Sequence, residues 1–262
     1  MPIIQVMATI RVGVGGWTYA PWRGVFFPKG LPQKDELSYM SQRLSSIEVN
    51  GTFYRTQSPE TFRKWHDETP EGFVFSLKGP RYVSNRKNLA EAGDSVRNFL
   101  DSGVRELNEK LGVINWQLAP TKSFDSAECE AFLQLLPPDL KHAIEVRHES
   151  FRCPEFVELS RKYGVAVVLA GDSEYPLIPD ITAPFVYARI MGTTEEANGY
   201  SRESIDIWAE RAKVFASGSV PADLAAVAAA ASPEGRDVYL YVISGFKQAN
   251  PVTAMDIIER LE

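Results

Sequence analysis

The residues with the greatest potential for chemistry lie where short apolar segments end. HAIEVRHESF, residues 142–151, starts with the alternation of a buried strand and continues into Glu145, Arg147 and His148. A carboxylate, a guanidinium and an imidazole together could transfer protons and hold an anionic group. Because a buried charge without a partner is costly, such residues at a strand end indicate a pocket that pairs them or binds a ligand.

Four other apolar segments carry polar residues near their carboxyl ends. Side chains of a strand alternate between two faces, so one face of each segment is apolar and the other is polar. In the third segment we take Val74 and Leu77 as the apolar residues, and Ser76 and Lys78 as the polar face. The polar residues that we expect to face one site are Glu48, Asn50, Ser76, Lys78, Asn115, Gln117, Glu145, Arg147, Tyr187 and Arg189.

These residue types predict acid–base chemistry on an anionic substrate. Glu48 or Glu145 would act as a general acid or base, with a pKa set by burial and by the neighbouring cations. Lys78, Arg147 and Arg189 would hold a phosphate or carboxylate, since the planar fork of arginine suits both groups. His148 could carry a proton between groups of the site. The predicted catalytic residues are Glu48, Lys78, Glu145 and His148.

Aromatic residues follow the first two of these segments. Trp17, Tyr19 and Trp22 come after the first, and Phe53 and Tyr54 come after the second. At a rim they form either a lid packed on itself or a platform on which a sugar or base ring stacks. The predicted substrate-binding residues are Trp17, Tyr19, Trp22, Asn50, Tyr54, Gln117, Arg147, Tyr187 and Arg189.

The elements that must position these residues alternate between strands and helices. Stretches with apolar residues at helical spacing separate most of the strand-like segments. This order implies parallel pairing, and the number of units predicts an α/β fold, a TIM-like (β/α)8 barrel with its site at the C-terminal rim. The predicted strands cover residues 11–16, 45–50, 73–78, 111–118, 142–148, 165–171, 185–192 and 237–244.

Two segments depart from the regular alternation. Residues 172–184 contain three prolines and no helical period, so we expect the sixth crossover to be a loop. Residues 218–236 include PADLAAVAAAASPEG, which predicts a short extra helix before the last strand. Since no linker divides the chain, residues 1–262 are predicted to form a single domain.

Composition and charge argue against several classes of protein. The chain has 28 Lys and Arg against 34 Asp and Glu, a net charge of −6, whereas duplex-binding proteins usually carry a basic footprint. Cys129 and Cys153 form no CxxC pair, as is ordinary in a reducing cytosol. The apolar start, residues 1–13, lacks a basic n-region and is too short to span a bilayer. We therefore expect a cytoplasmic protein with a small-molecule partner and without a nucleic acid or membrane partner.

Metal ligands are few. Of the three histidines, only His148 lies at the carboxyl end of a predicted strand, whereas a closed zinc site needs three or four nitrogen or sulfur ligands. Glu48, Glu145 and Asp172 could hold Mg²⁺ or Mn²⁺ with water completing the shell. A divalent metal is thus the less favoured expectation, and no metal ligand is assigned.

Several ordered motifs resemble those of a known family. GVGGWTYAPWRGVFFPKGLP, IEVNGTFYRTQSPETFRKW, FVFSLKGP, NWQLAP and IEVRHESF are similar, in order and spacing, to the family named domain of unknown function 72, or YecE-like. The resemblance runs from about residue 11 to residue 192, and it implies a TIM-like barrel but no particular reaction. The recurrent residues of the family fall on Trp17, Tyr19, Trp22, Glu48, Asn50, Phe53, Tyr54, Lys78, Gln117, Pro120, Glu145, Arg147, His148 and Arg189.

The chain departs from this family at two places. Met191 stands where the family tends to have a histidine, and the last strand runs into YVISGFKQANP rather than into a Phe-Asn-Asn-like turn. If those residues are ligands or acid–base groups in relatives, this chain has lost or changed that activity.

Three functions follow from these observations. The first is an enzyme, of hydrolase, lyase or isomerase type, that acts on a small phosphorylated, carboxylated or sugar-like substrate at the rim. The second is a metal-dependent phosphodiesterase resembling barrel endonucleases, which rests on analogy of fold. The third is a non-catalytic ligand-binding barrel, which Met191 suggests.

Overall fold

The computed structural model describes residues 8–196 and 198–262, so residues 1–7 of the apolar start lie outside the described residues. The described residues form a sheet of parallel strands that is rolled into a nearly closed barrel. The strands are β1 Ile10–Gly15, β2 Ser46–Val49, β3 Val74–Lys78, β4 Leu111–Gln117, β5 Lys141–Glu145, β6 Ala166–Val167, β7 Leu169–Gly171, β8 Phe185–Ile190 and β9 Asp237–Val242.

The barrel closes through its first strand and through a divided sixth strand. β1 pairs in parallel with both β2 and β9. The predicted strand 165–171 is two short strands, of which β6 pairs with β5 and β7 pairs with β8. Between them, the amide of Val168 donates to the carbonyl oxygen of Ile144 at 3.0 Å. The predicted TIM-like barrel is therefore confirmed, with its sixth strand in two pieces.

Helices surround the sheet, and three of them carry a proline in the first turn, those that begin at Pro59, Pro154 and Asn250. Proline suits this position because it lacks the amide that would have no partner there. The α-helices of the described residues are α1 Glu36–Ser41, α2 Gly51–Tyr54, α3 Pro59–Asp67, α4 Arg81–Ser84, α5 Gly93–Leu100, α6 Ser126–Gln134, α7 Pro154–Tyr163, α8 Arg202–Ala216 and α9 Asn250–Leu261.

Apolar side chains form two buried clusters, one on each side of the sheet. The larger lies between sheet and helices, and it includes Leu77, as predicted. The smaller fills the barrel interior and includes Val74 together with Tyr239 and Tyr241. The placement of Val74 on the apolar, outward face is thus wrong. Alternation puts it on the same face as Ser76, two residues further along.

Below the rim, the interior is filled by tyrosines that are hydrogen-bonded to polar groups of the strands. The hydroxyl of Tyr241 lies 2.6 Å from Oγ of Ser46 and 2.7 Å from Oγ of Ser76. The hydroxyl of Tyr187 donates to Oε2 of Glu48 at 2.6 Å. Because the buried hydroxyls have partners, these large rings fill the interior without an unsatisfied polar atom of their own.

The two irregular segments bind each other. Residues 172–184 contain no helix, as predicted, but the helix predicted within residues 218–236 is wrong, because these residues, all of them described, are not helical. The carboxylate of Asp180 accepts hydrogen bonds from the amides of Val227 and Ala228 at 2.8 and 2.9 Å. These amides are therefore paired with the Asp180 carboxylate, whereas in a helix they would be paired with backbone carbonyl groups. The contact with Asp180 overrides the helix propensity of alanine.

Glycine at position 13 permits the close approach of β1 to β2. A Cβ atom there would lie 2.0 Å from the carbonyl oxygen of Ser46, which belongs to the backbone and cannot turn aside. We expect Gly13→Ala to lower the free energy of unfolding by about 1–3 kcal/mol. Gly51→Ala is the control, because a Cβ there meets no atom within 4 Å and the residue has no positive φ. Urea unfolding of both variants checks this, and equal stability of the two would contradict it.

A second stability effect comes from a buried histidine of β5. Trp116 Nε1 donates to Nδ1 of His142 at 3.2 Å, and Nε2 of His142 donates to the carbonyl oxygen of Pro137 at 3.1 Å. Both contacts suit the neutral ring. Burial lowers the pKa of His142 from 6.5 to about 4, although the Pro137 carbonyl and Asp139 oppose this shift.

This pKa difference makes the free energy of unfolding depend on pH. Between about pH 6.5 and pH 4 the unfolded chain binds a proton at His142 that the folded chain does not, so stability falls as the pH falls through this window. The loss from this group is up to roughly 3 kcal/mol. We expect His142→Gln to show a smaller decrease between pH 7 and about pH 4.5 in urea titrations. An unchanged decrease would show that other groups account for the whole effect.

Candidate functional site

A cavity of about 370 Å³ opens at the carboxyl ends of the strands. Four cations line it, Lys78, Arg147, Arg189 and Lys247, whereas no carboxylate side chain of the described residues does so. Aromatic side chains form much of the remaining wall. The predicted site residues that line this cavity are Tyr19, Trp22, Asn50, Tyr54, Lys78, Gln117, Arg147 and Arg189.

Strand ends determine the arrangement of these side chains. Lys78 and Gln117 are the last residues of β3 and β4, and Arg189 is the last but one of β8. In a parallel barrel all strands end at the same rim, and alternation turns these residues toward the axis. Residues distant in the sequence therefore meet around one cavity.

Arg189 joins two buried carboxylates. Its Nη2 donates to Oε1 of Glu48 at 2.9 Å, and its Nη1 donates to Oε2 of Glu145. Both glutamates are fully buried, and neither lines the cavity. The guanidinium supplies the opposite charge that two carboxylates need in the interior of a barrel.

Arg147 completes the partners of the carboxylates. Its Nε donates to Oε1 of Glu145 at 2.9 Å, and its Nη2 donates to Oε1 of Gln117 at 2.8 Å. Together with the bond from Tyr187 to Glu48, every oxygen of the two carboxylates accepts at least one hydrogen bond. The Arg147 side chain is 17% exposed, so it can also face a ligand.

The charges of the cations keep Glu145 ionised. Burial raises the pKa of its carboxyl group, but the charges of Arg189, Arg147 and Lys78 outweigh burial, so the pKa lies below the ordinary value. Glu145 thus holds the arginines in place as an anion. Its oxygens are already engaged, which leaves it poorly placed to take a proton from a ligand in the cavity.

Lys78 differs from the other buried charges of this site. It is 8% exposed, and within the described residues its Nζ has neither a hydrogen-bond partner nor a carboxylate within 4.0 Å. Its Nζ lies 4.5 Å from the ring centre of Phe53. Burial lowers the pKa of Lys78 to about 8, helped by Arg189 and Arg147 and opposed by Glu48 and Glu145. In roughly a tenth of the protein molecules, the Lys78 side chain is therefore a neutral amine at pH 7.

Other predicted residues lie below or beside the cavity. Tyr187, Glu48 and Glu145 lie beneath its floor. Trp17 packs against Trp65, with ring centres 5.1 Å apart, and lines a neighbouring depression. His148 caps the turn that follows β5, where its Nδ1 accepts from the Ser150 amide at 3.3 Å. The predicted catalytic and binding roles of these five residues stay predictions.

Sequence reasoning missed the contribution of the loop after β9. Lys247 of this loop and Asn250 at the start of α9 line the cavity, and so does Thr18 of the loop after β1. Phe53, predicted only as an aromatic residue of the rim, lines it too. The carbonyl oxygen of Lys247 accepts from Nε1 of Trp22 at 2.7 Å, which joins the loop after β9 to the loop after β1. The signal was the position itself, because every loop that follows a barrel strand faces the active rim.

The two departures from the family lie next to this region. Met191 is partly buried against the interior cluster and does not line the cavity. Asn250 accepts from Oγ1 of Thr193 at 2.8 Å and donates to the carbonyl oxygen of Ser244 at 3.2 Å. Asn250 therefore shapes the turn after β9, which passes through Ser244 and Gly245 with positive φ.

The described residues contain no cluster of three or more histidine, cysteine or acidic side chains placed to hold a metal ion. Asp172, considered as a third carboxylate, is engaged elsewhere. Its Oδ2 accepts from the hydroxyl of Tyr200 at 2.8 Å and from Nε1 of Trp208 at 2.7 Å. Asp172 thus anchors the loop after β7 to the loop before α8 and to α8 itself.

The parallel barrel and the residues at its rim define the class of this protein, a TIM-like barrel with a cationic cavity at the carboxyl ends of its strands. The chain belongs to the family described as Protein of unknown function DUF72, whose model matches residues 11–262. The family resemblance expected from the motifs is therefore confirmed. Among helices of the described residues, none has the length and apolar character of a membrane span.

Two curated relatives match part of the chain. It is 28% identical over 145 residues to the UPF0759 protein YecE of Escherichia coli K12, a match that covers 54% of this chain and 50% of that protein. It is also 28% identical over 158 residues to the UPF0759 protein YunF of Bacillus subtilis 168, covering 57% and 54% respectively. The chain spans about half the length of the curated relatives it matches.

Solved structures agree on the fold. A DUF72 family protein of Thermotoga maritima MSB8 matches with a TM-score of 0.75 at 22% identity, over 97% of this chain and 99% of that one. One from Enterococcus faecalis V583 matches with a TM-score of 0.68 at 18% identity, over 96% and 97%. A xylose isomerase-like TIM barrel/4-hydroxyphenylpyruvate dioxygenase fusion protein gives 0.53 at 14% identity, over 97% of this chain and 42% of that one.

The bridge that Arg189 makes between Glu48 and Glu145 should contribute strongly to the stability of the fold. Arg189→Met leaves two buried carboxylates without their shared cation, so we expect the free energy of unfolding to fall by about 3–5 kcal/mol. Adding Glu145→Gln to that variant should recover part of the loss, because one of the orphaned charges is removed.

The control is Arg97→Met, which breaks a pair with Asp94 on a side chain that is 69% exposed. There we expect a loss below about 1 kcal/mol. Denaturant unfolding of the three variants measures both effects. Similar small losses for Arg189→Met and Arg97→Met would contradict the structural role of the bridge.

Proposed function

We propose that this protein is an enzyme that binds a small anionic substrate in the rim cavity, with Lys78 as the group that reacts with it. The observation that carries the proposal is the environment of Lys78. It is a buried lysine that lines a cavity and has no carboxylate within 4.0 Å among the described residues. A buried cation without a partner is costly, so a negatively charged ligand would supply the missing partner.

The balance of charge supports an anionic substrate. Below and around the cavity, the three cations Lys78, Arg147 and Arg189 face the two carboxylates Glu48 and Glu145. One positive charge is therefore in excess, although the chain as a whole carries a net charge of −6. Lys247 at the cavity wall adds a second. Arginine and lysine together suit phosphate and carboxylate groups.

Size and walls restrict the substrate further. A volume of about 370 Å³ is at the small end of ligand sites in proteins. Four aromatic residues from the segments that follow β1 and β2 also line the cavity, Tyr19, Trp22, Phe53 and Tyr54. Aromatic side chains beside cations favour a compact molecule with an anionic end and an apolar or ring-bearing body.

Within this proposal the two glutamates position the arginines. Neither glutamate lines the cavity, and their oxygens accept hydrogen bonds from Arg189, Arg147 and Tyr187. Proton transfer falls to Lys78, because a pKa of about 8 lets both of its protonation states occur near neutral pH. The chemistry would be that of an isomerase or lyase, in which a proton moves next to an electron-withdrawing group.

Sulfate is a suitable probe of the anion site, because its charge does not change near neutral pH. In calorimetry at about pH 7, we expect Lys78→Met and Lys247→Met each to bind sulfate at least about tenfold more weakly than the parent, close to 1.4 kcal/mol. Lys64→Met is the control, since Lys64 lies in α3 with a side chain that is 64% exposed. Equal binding by Lys78→Met and Lys64→Met, or no binding by the parent, would refute the proposal.

The affinity for sulfate should also depend on pH. Lys78 holds the anion only as a cation, so affinity should fall as the pH rises through about 8. The charged groups that face Lys78 are the guanidinium groups of Arg189 and Arg147 and the carboxylates of Glu48 and Glu145. Lys78→Arg should remove the decrease while retaining binding. A decrease that persists in Lys78→Arg would assign the pH dependence to another group.

A further inference from the structure

The part of the chain that the structure describes contains two buried lysines, Lys78 and Lys110, and they differ in what surrounds the amino group. Nζ of Lys110 donates to the carbonyl oxygens of His66 and Thr69, each at 2.6 Å. These acceptors are what a buried ammonium group requires. Nζ of Lys78 has no such acceptor among the described residues, although Lys78 is also a buried residue. Lys78 is thus not placed as a structural cation.

The backbone of Lys78 is held firmly while its amino group is free. The carbonyl oxygen of Lys78 accepts from Oγ1 of Thr52 at 2.7 Å, and the residue pairs with Asn115 of β4. The side chain then extends into the cavity, with its amino group over the ring of Phe53. A fixed backbone and an unengaged amine in a cavity are the conditions that a nucleophile needs.

The surroundings also increase the fraction of neutral amine, which is the nucleophilic form. Burial and the charges of Arg189 and Arg147 lower the pKa of Lys78 to about 8. A lysine that is desolvated or lies beside other cations is activated in this way. Arg147 and Lys247 line the same cavity, so they are placed to hold an anionic group of whatever reacts with the amine.

We propose that Lys78 forms an imine with the carbonyl carbon of a small aldehyde or ketone that also carries a phosphate or carboxylate group. This inference rests on the proposed function and names its substrate class. Arg147 and Lys247 hold the anionic group, and the amine reaches the carbonyl carbon. The imine then withdraws electrons from the adjacent carbon, which is what isomerase or lyase chemistry requires.

The step balances without an oxidant or a reductant. The lone pair of Nζ forms a bond to the carbonyl carbon, and the π electrons of the carbonyl move to its oxygen. The nitrogen loses a proton and the oxygen gains one, which gives a carbinolamine. Protonation of its hydroxyl by solvent at the open mouth releases water, and the nitrogen lone pair forms the C=N bond. In sum, one amine, one carbonyl and one proton give an iminium ion and one water molecule.

Reductive trapping tests the inference directly. The protein is incubated with pyruvate or with dihydroxyacetone phosphate and is then reduced with borohydride. We expect the intact mass to rise by the mass of the probe less one oxygen atom, and peptide mapping to place this modification on Lys78. Glycerol 3-phosphate carries the same anion without a carbonyl group and should give no modification.

Two variants complete the test. Lys78→Arg keeps the charge but cannot form the imine, so we expect at least a tenfold loss of trapped product. The control Lys64→Arg should be trapped like the parent, since Lys64 is an exposed residue of α3. Trapping spread evenly over exposed lysines, or retained in Lys78→Arg, would overturn the inference. Retained sulfate binding by Lys78→Arg shows that this variant is folded with its site intact.

The two proposals fail in different ways. Sulfate binding that depends on Lys78 and Lys247, without any trapping at Lys78, overturns the imine and leaves the anion site. Trapping at Lys78 that is insensitive to excess sulfate, and equal for pyruvate and uncharged dihydroxyacetone, overturns the anionic substrate class. Trapping at Lys78 that sulfate suppresses, and that favours the charged probes at least tenfold, supports both.

Discussion

Arg189 lies between two glutamates that the barrel could not otherwise bury. Glu48 and Glu145 come from β2 and β5, and the guanidinium from β8 reaches both across the barrel interior. Because each carboxylate would be costly alone, the three side chains are stable only as a set. Tyr187 donates a hydrogen bond to Glu48, and Arg147 donates one to Glu145, so both residues belong to the same layer. The position of the cavity follows, since this layer forms the floor on which the rim residues lie.

The same layer determines which charges remain for a ligand. The oxygens of Glu48 and Glu145 are occupied, so the carboxylates are used in holding the arginines. Lys78 is the cation of the layer that this pairing leaves without a partner among the described residues. The positive and negative charges of this layer are therefore nearly balanced, with one positive charge in excess. Together with the environment of Lys78, that small positive excess supports the proposal that the cavity binds an anion.

Much of this arrangement could be predicted from the sequence, because alternation in strands is a strong constraint. It was enough to assign Glu48, Lys78, Gln117 and Arg189 to one rim. It does not reveal which charges pair, so the burial of the glutamates below the cavity was not predicted. Local patterns also failed where distant groups intervene, as in the alanine-rich run whose amides bind Asp180. The divided sixth strand likewise depends on pairing with β5 and β8.

The hydrogen bond from Trp22 to the carbonyl oxygen of Lys247 joins loops that lie 225 positions apart in the sequence. Two segments that are distant in the sequence therefore meet at the wall of the cavity. Bringing such distant loops together costs conformational entropy, and the pairing of β1 with β9 places them near each other. We therefore expect this wall of the cavity to form in folding only once β1 and β9 have paired.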